Sequence, residues 1–114
     1  MTETNLTLLK GTVDILILAC LGQLPEQHGY GIAEWIEGAT GGALLLEEGT
    51  LYPALHRLQR KGLLESSWGT SENNRRARFY RLTPRGEAER AEAVRHWERY
   101  AQAVSSALAP GRAR

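Results

Sequence analysis

Two short stretches of this chain concentrate hydrogen-bond donors. Thr50, Tyr52, His56, Arg57 and Arg60 form the first, and Asn73, Asn74, Arg75, Arg76 and Arg78 crowd together after Glu72 in the second. Hydroxyl, amide, imidazole and guanidinium groups share the ability to donate to oxyanions and to the edges of heterocycles, and guanidinium makes paired bonds to phosphate. The chemistry expected of such a set is recognition of a polyanion, with no bond made or broken.

Catalysis would need a nucleophile beside a base, a pair of carboxylates or a metal cluster. Cys20, His28, His56 and His96 are potential ligands, but their spacing matches no zinc pattern. Gly29-Tyr-Gly and Gly41-Gly-Ala lack the lysine and the helix context of a phosphate loop. The chain is therefore expected not to be an enzyme and to carry neither metal nor cofactor.

These donors must be held by a small scaffold. A length of 114 residues suits one domain with a modest core, and 42% apolar with 24% charged residues is ordinary for a soluble globular protein. The net charge of +1 says little about a polyanionic partner, because distribution decides phosphate binding. Cys20 is the sole cysteine and lies in the apolar run 13–21, so it reads as a small buried hydrophobe in a protein of the reducing cytoplasm. Residues 1–5 lack a basic leader, and the following apolar stretch contains Asp14 and is too short to span a bilayer, so neither export nor membrane insertion is expected.

Residues 6–21 are apolar on nearly every face and predict a first helix ended by Gly22 and Pro25. One helix can rarely be enclosed by so small a chain, so part of its surface is expected to meet a second subunit. His28-Gly-Tyr-Gly-Ile opens a second helix with Ile32, Trp35, Ile36 and Ala39 at helical spacing, closed by Gly41-Gly42. The apolar run 43–46 suits a short strand. Residues 47–61 predict a third helix with Leu51, Leu55 and Leu58 on its inner face and Gly62 at its stop. Runs 63–68 and 78–82 read as a hairpin, and Thr83-Pro84 as the cap and first residue of a long helix reaching Leu108. The fold class expected is mostly α with a small β-hairpin: a winged helix-turn-helix at 6–83 and one long C-terminal helix at 84–108. The two form one structural unit, with flexible tails at 1–5 and 109–114.

In a winged helix-turn-helix the third helix enters the major groove, with apolar residues inward and donors outward. The first donor stretch falls on that helix and the second on the hairpin loop, which could straddle a phosphate backbone or probe a minor groove. Double-stranded operator DNA is thus the expected partner. The competing class is a winged helix used only to bind another protein. Trp35 and Trp68 read as core and wing-anchoring residues.

The stretch Glu48-Gly-Thr-Leu-Tyr-Pro-Ala-Leu-His-Arg-Leu-Gln-Arg-Lys-Gly-Leu-Leu-Glu closely resembles the recognition-helix signature of the PadR family of bacterial transcriptional regulators. His28-Gly-Tyr-Gly-Ile resembles the family's second-helix opening, and Arg75-Arg-Ala-Arg-Phe-Tyr-Arg-Leu-Thr-Pro-Arg-Gly its wing strand and entry to the last helix. The resemblance implies a homodimeric repressor that binds a near-palindromic operator and leaves it when an effector binds or conditions change. It places Thr50, Leu51 and Tyr52 at the DNA-facing start of the third helix and Tyr30 near the phosphates. The single last helix is that of the compact subfamily.

Independently of that likeness, Ala91, Val94, Trp97, Ala101, Val104 and Leu108 form a seam of largely heptad spacing. With Leu9 and Val13 of the first helix, the seam residues Val94, Trp97, Ala101, Val104 and Leu108 are the expected dimer surface. Trp97, flanked by Ala93, Val94 and Ala101, leaves room beside a flat ring. Compact PadR-type drug sensors sandwich planar aromatic ligands between tryptophans of the corresponding helix, so the resemblance suggests an effector pocket lined by Trp97, Ala93, Ala101, Leu8, Ile15 and Asp14. The plainer readings are that Trp97 fills the dimer core and that Asp14, whose carboxylate needs water or a partner, sits at the surface.

Overall fold

The computed structural model describes residues 6–9 and 11–111, so the expected tail 1–5 and the final residues 112–114 of the expected C-terminal tail lie outside the described residues. The elements run α1 (Thr12–Gln23), β1 (Gln27–His28), α2 (Gly29–Ala39), α3 (Glu48–Arg60), β2 (Leu64–Thr70), β3 (Arg76–Leu82) and α4 (Pro84–Leu108). The strands form one antiparallel sheet in the order β1-β3-β2.

Two expectations are corrected. The first helix starts at Thr12, because Gly11 takes a left-handed conformation (φ 91°) at its N-cap and Thr12 folds back onto the carbonyl of Leu9. Residues 6–9 precede it as non-helical chain, with the Leu6 amide donating to the Ala43 carbonyl at 2.7 Å. The run 43–46 is not a strand. Leu44 and Leu46 turn toward the core as a linker between α2 and α3, and the Leu44 amide is taken by Thr40 Oγ1 at 3.1 Å. The third strand is instead the two-residue β1, with Gln27 opposite Tyr80 and His28 opposite Phe79.

The core sits where α1, α2 and α3 meet the base of the hairpin. Ile17, Ile32, Ile36, Leu51, Leu55 and Leu58 are its largest fully buried side chains, with Leu64 and Tyr80 of the sheet packed against them. α4 leaves this core lengthwise: its first half packs on α1, while Trp97, Tyr100, Val104 and Leu108 remain exposed. The radius of gyration, 16.0 Å, exceeds the about 13 Å of a compact domain of this length. The difference is what a protruding helix produces. Where α4 begins, Thr83 Oγ1 accepts from the Gly86 amide (3.0 Å) and donates to the Gly62 carbonyl (2.7 Å). Gly86 lies so close to the Leu63 carbonyl that a Cβ would collide with it. The Thr-Pro-Arg-Gly sequence is thus both a cap and a backbone-on-backbone contact.

Cys20 is buried as expected, at 0% exposure, and burial pushes its thiol from the usual 9.0 up to about 12. An unfolded chain ionises this thiol from about pH 9, while the folded chain holds the proton to about 12. Its contribution to stability is therefore complete below pH 9 and lost as pH rises across that window. The native protein should react with a thiol reagent at pH 8 only as fast as it opens. Equal labelling rates in buffer and in denaturant would contradict this.

Candidate nucleic-acid interface

His28 organises the start of α2. Its Nδ1 accepts from the Gly31 amide at 3.0 Å, capping the helix, so in the neutral ring Nε2 carries the proton and faces Glu72 Oε1 of the hairpin loop at 3.4 Å. Its ring meets Phe79 edge-on, 5.3 Å between centroids. The buried imidazole therefore ties α2, β3 and the hairpin tip together. The Glu72 carboxyl is held below the usual carboxylate range by its own backbone amide and, secondarily, by this ring.

Gly29 explains why α2 and α3 approach so closely. A Cβ there would fall 2.5 Å from Tyr52 Oη, so glycine leaves the space the phenol occupies. Burial, and secondarily the Glu48 charge, hold the Tyr52 hydroxyl protonated above its ordinary range, which keeps it a donor. Tyr30, 64% exposed, stands on the same side of α2. Thr50, His56 and Arg60 lie on the exposed face of α3, as expected.

Leu51 is a correction. Its side chain is 1% exposed and belongs to the core, consistent with the Leu51, Leu55, Leu58 periodicity, so it is not available to a base. Arg57 is exposed but turned sideways, donating to Asp14 of α1 at 2.5 Å. That pair also answers the question posed by a carboxylate in an apolar run: the partner of Asp14 is an arginine of α3, and Asp14 does not line the cavity beside Trp97.

The hairpin folds over the same side as the exposed face of α3. Its tip turns at Asn74, whose φ of 61° is tolerated by asparagine, with the Asn74 amide on the Ser71 carbonyl at 2.8 Å. Arg78 Nε donates to Ser66 Oγ (3.0 Å), and Ser66 Oγ donates to Gln59 Oε1 of α3 (3.2 Å). Gln59 and Ser66, which the sequence did not single out, thus set the hairpin against the helix. Between hairpin and helices lies an open groove of about 680 Å³ bordered by Tyr30, Tyr52, Trp68, Asn73, Arg75, Arg76 and Arg78. A second hollow brings together His56, Gln59, Arg60 and Arg78. Trp68 is also a correction: it is 56% exposed on the groove side and does not anchor the wing in the core.

Ion pairing divides the arginines. Arg57, Arg81, Arg90 and Arg95 each have a carboxylate within salt-bridge reach. Among the described residues, Arg60, Arg75, Arg76 and Arg78 have none. Arg85 and Arg99 of α4 and Lys61 at the end of α3 are also without one, but they line neither hollow. Four arginines without carboxylate partners thus border two neighbouring hollows that share Arg78, the first also lined by Tyr30 and Tyr52.

At the far end, Trp97, Leu8 and Ile15 line an apolar cavity of about 480 Å³ with Leu9, Leu16 and Val94. Ala93 lines the adjoining hollow with Trp97, His96 and Tyr100, and Ala101 borders neither. Of the expected dimer surface, Leu9, Trp97, Val104 and Leu108 are exposed, while Val13 is partly buried against the core. Among the described residues no helix is long and apolar enough to cross a membrane.

A trio of helices, a hairpin wing and an uncompensated basic groove between them define the class: a winged helix-turn-helix protein. Residues 17–92 match the transcriptional regulator PadR-like family. The chain belongs to that family of transcriptional regulators, a class that acts on DNA. It is 37% identical over 86 residues, 75% of this chain and 66% of the other, to the transcriptional regulator Rv3488 of Mycobacterium tuberculosis. Its fold is similar to that of a transcriptional regulator from Clostridium thermocellum, with TM-score 0.77, 30% identity, and coverage of 88% of this chain and 96% of that one. It also resembles a PadR family transcription regulator from Clostridium difficile, with TM-score 0.70, 30% identity, and coverage of 86% and 98%.

Proposed function

We propose that this chain is a homodimeric repressor that holds operator DNA with the exposed face of α3 and the wing, and releases it when a planar aromatic compound binds beside Trp97. The observation that carries the DNA reading is that Arg75, Arg76 and Arg78, free of carboxylates, border the groove beside Tyr30 and Tyr52, and that Arg60, equally free, meets Arg78 in the hollow next to it. Thr50, Tyr52, His56 and Arg60 are the residues assigned to bases and nearby phosphates. Arg75, Arg76, Arg78 and Asn74 are assigned to the backbone and Tyr30 to a phosphate. Arg57 acts from the side, through Asp14.

Dimerisation is supported by the apolar face that α4 leaves open in one chain: Trp97, Val104 and Leu108 are 40%, 38% and 76% exposed. A two-fold pairing along it would set two α3 helices about one DNA turn, roughly 34 Å, apart. Sedimentation should give a dimer at micromolar concentration, and a monomer would count against it. The effector reading rests on the apolar cavity at Leu8, Ile15 and Trp97, which suits a flat ring.

The test is binding to the DNA upstream of the protein's own gene against scrambled competitor, with and without a planar dye. Specific binding relieved by the dye is the expected result. Specific binding indifferent to the dye would remove the effector and leave the regulator. Absence of binding at low salt would favour a protein-interaction module.

A further inference from the structure

We propose that Trp68 is a positioning residue of the wing: its indole is the plate on which Arg76 and Arg78 are stacked, so that both guanidinium groups stand oriented toward phosphate before DNA arrives. This rests on the DNA-binding reading above and assigns a role to a residue outside the set named there.

The geometry begins with strand register. Trp68 on β2 stands directly opposite Arg78 on β3, and Arg76 is its diagonal neighbour on the same face. That face is apolar at its base, where Leu64 and Tyr80 enter the core, and becomes aromatic and cationic toward the tip. The guanidinium carbons of Arg76 and Arg78 lie 4.4 and 5.1 Å from the indole centroid, both within cation-π range. Arg78 uses only Nε, toward Ser66 Oγ. Its terminal nitrogens remain available.

The choice of an aromatic ring has a physical consequence that a carboxylate would not have. A glutamate beside Arg76 would fix the side chain but offset its charge against phosphate, whereas an indole fixes it and leaves the charge whole. Guanidinium is suited to this because it is planar and weakly hydrated, stacking by its face while donating from its edge. Rotamer freedom that a free arginine would lose on binding is already reduced in the unbound wing. Other arginines of the chain are held by acids, Arg81 by Glu65 at 3.2 Å and Arg57 by Asp14.

Because phosphate contacts are independent of sequence, a labelled mixed-sequence duplex at low salt is a sufficient probe. Trp68→Ala is expected to weaken binding about tenfold. The slope of log K against log salt should stay near that of the wild type, since the arginines are still present. Trp68→Phe should stay within about threefold of wild type, and Trp68→Leu, apolar but without a π face, should resemble Trp68→Ala. In an Arg76→Ala, Arg78→Ala background, Trp68→Ala should change affinity less than about twofold. Binding by Trp68→Leu as tight as wild type would overturn the proposal. So would a tenfold loss that persists in full without the two arginines, which would mean that the ring touches DNA itself or merely supports the wing. Failure of the wild-type protein to bind the duplex would appear before any variant is compared, and would overturn the DNA reading and this proposal together.

Discussion

Removing Arg75, Arg76 and Arg78 together is expected to weaken duplex binding roughly a thousandfold at low salt, because a hydrogen bond to a charged group contributes about 1.5–3 kcal/mol. The three guanidinium groups stand on an exposed wing, and none has a carboxylate partner among the described residues. Within the folded chain their charge serves only the stacking of Arg76 and Arg78 on the exposed Trp68 ring, a contribution of about 0.5–1 kcal/mol at an exposed site. The variant should unfold close to the wild-type midpoint, apart from the small effects of removing the Arg78 to Ser66 bond and the two stacking contacts on Trp68. Counterion release supplies a second signature: the slope of log K against log salt should become less negative by about 0.9 for each phosphate left without its arginine, close to 3 for each wing. Retained affinity with an unchanged slope would move the polyanion off the wing and onto α3 alone.

Leu51→Ala is expected to cost about 2–5 kcal/mol of stability, a large part of the about 5–15 kcal/mol that holds such a domain. The side chain is enclosed at 1% exposure among the core residues of α3 and its neighbours, so truncation leaves a void that close-packed surroundings fill only in part. Denaturant titration reads this directly. Once corrected for the unfolded fraction, DNA affinity should change less than about threefold, because Tyr52, its neighbour in sequence, is the side chain on the open face. An unchanged midpoint with a tenfold loss of affinity would return Leu51 to the DNA surface.

Leu51 also marks where the sequence was legible. Its periodicity with Leu55 and Leu58 placed it on the inner face, and the structure agrees; only the likeness to a recognition-helix signature drew it outward. Helical spacing and capping residues located α2, α3 and α4, and Thr83-Pro84 located the start of α4, because those signals are local. What escaped depends on long-range partners. β1 is two residues long and exists only through β3, and Asp14 and Arg57 meet across α1 and α3. The start of α1 was misplaced because leucine continuity outweighed Gly11, whose left-handed backbone breaks the pattern. Nothing local in Trp68 distinguished a buried wing anchor from an exposed plate. That distinction comes from the two arginines across the ladder, visible only once the register of β2 and β3 is known.

Within the site, the donors of α3 and the wing were recognisable by type, and their convergence followed from the expected fold. The relay from Gln59 through Ser66 to Arg78 was not, since each member is an ordinary polar residue until the hairpin lies against the helix. The same holds for Gly29, whose role is to leave room for Tyr52.

The central claim is that an uncompensated basic groove between α3 and the wing binds duplex DNA through its phosphates. The measurement that tests it most directly is the affinity of the wild-type protein for duplex DNA across a salt series from about 50 to 200 mM. The expected result is a linear fall of log K with log salt, with a slope of about −3.6 when Arg60, Arg75, Arg76 and Arg78 of one protomer each engage a phosphate, and steeper when both protomers do. Binding that ignores salt, or no binding at the lowest salt, would contradict it.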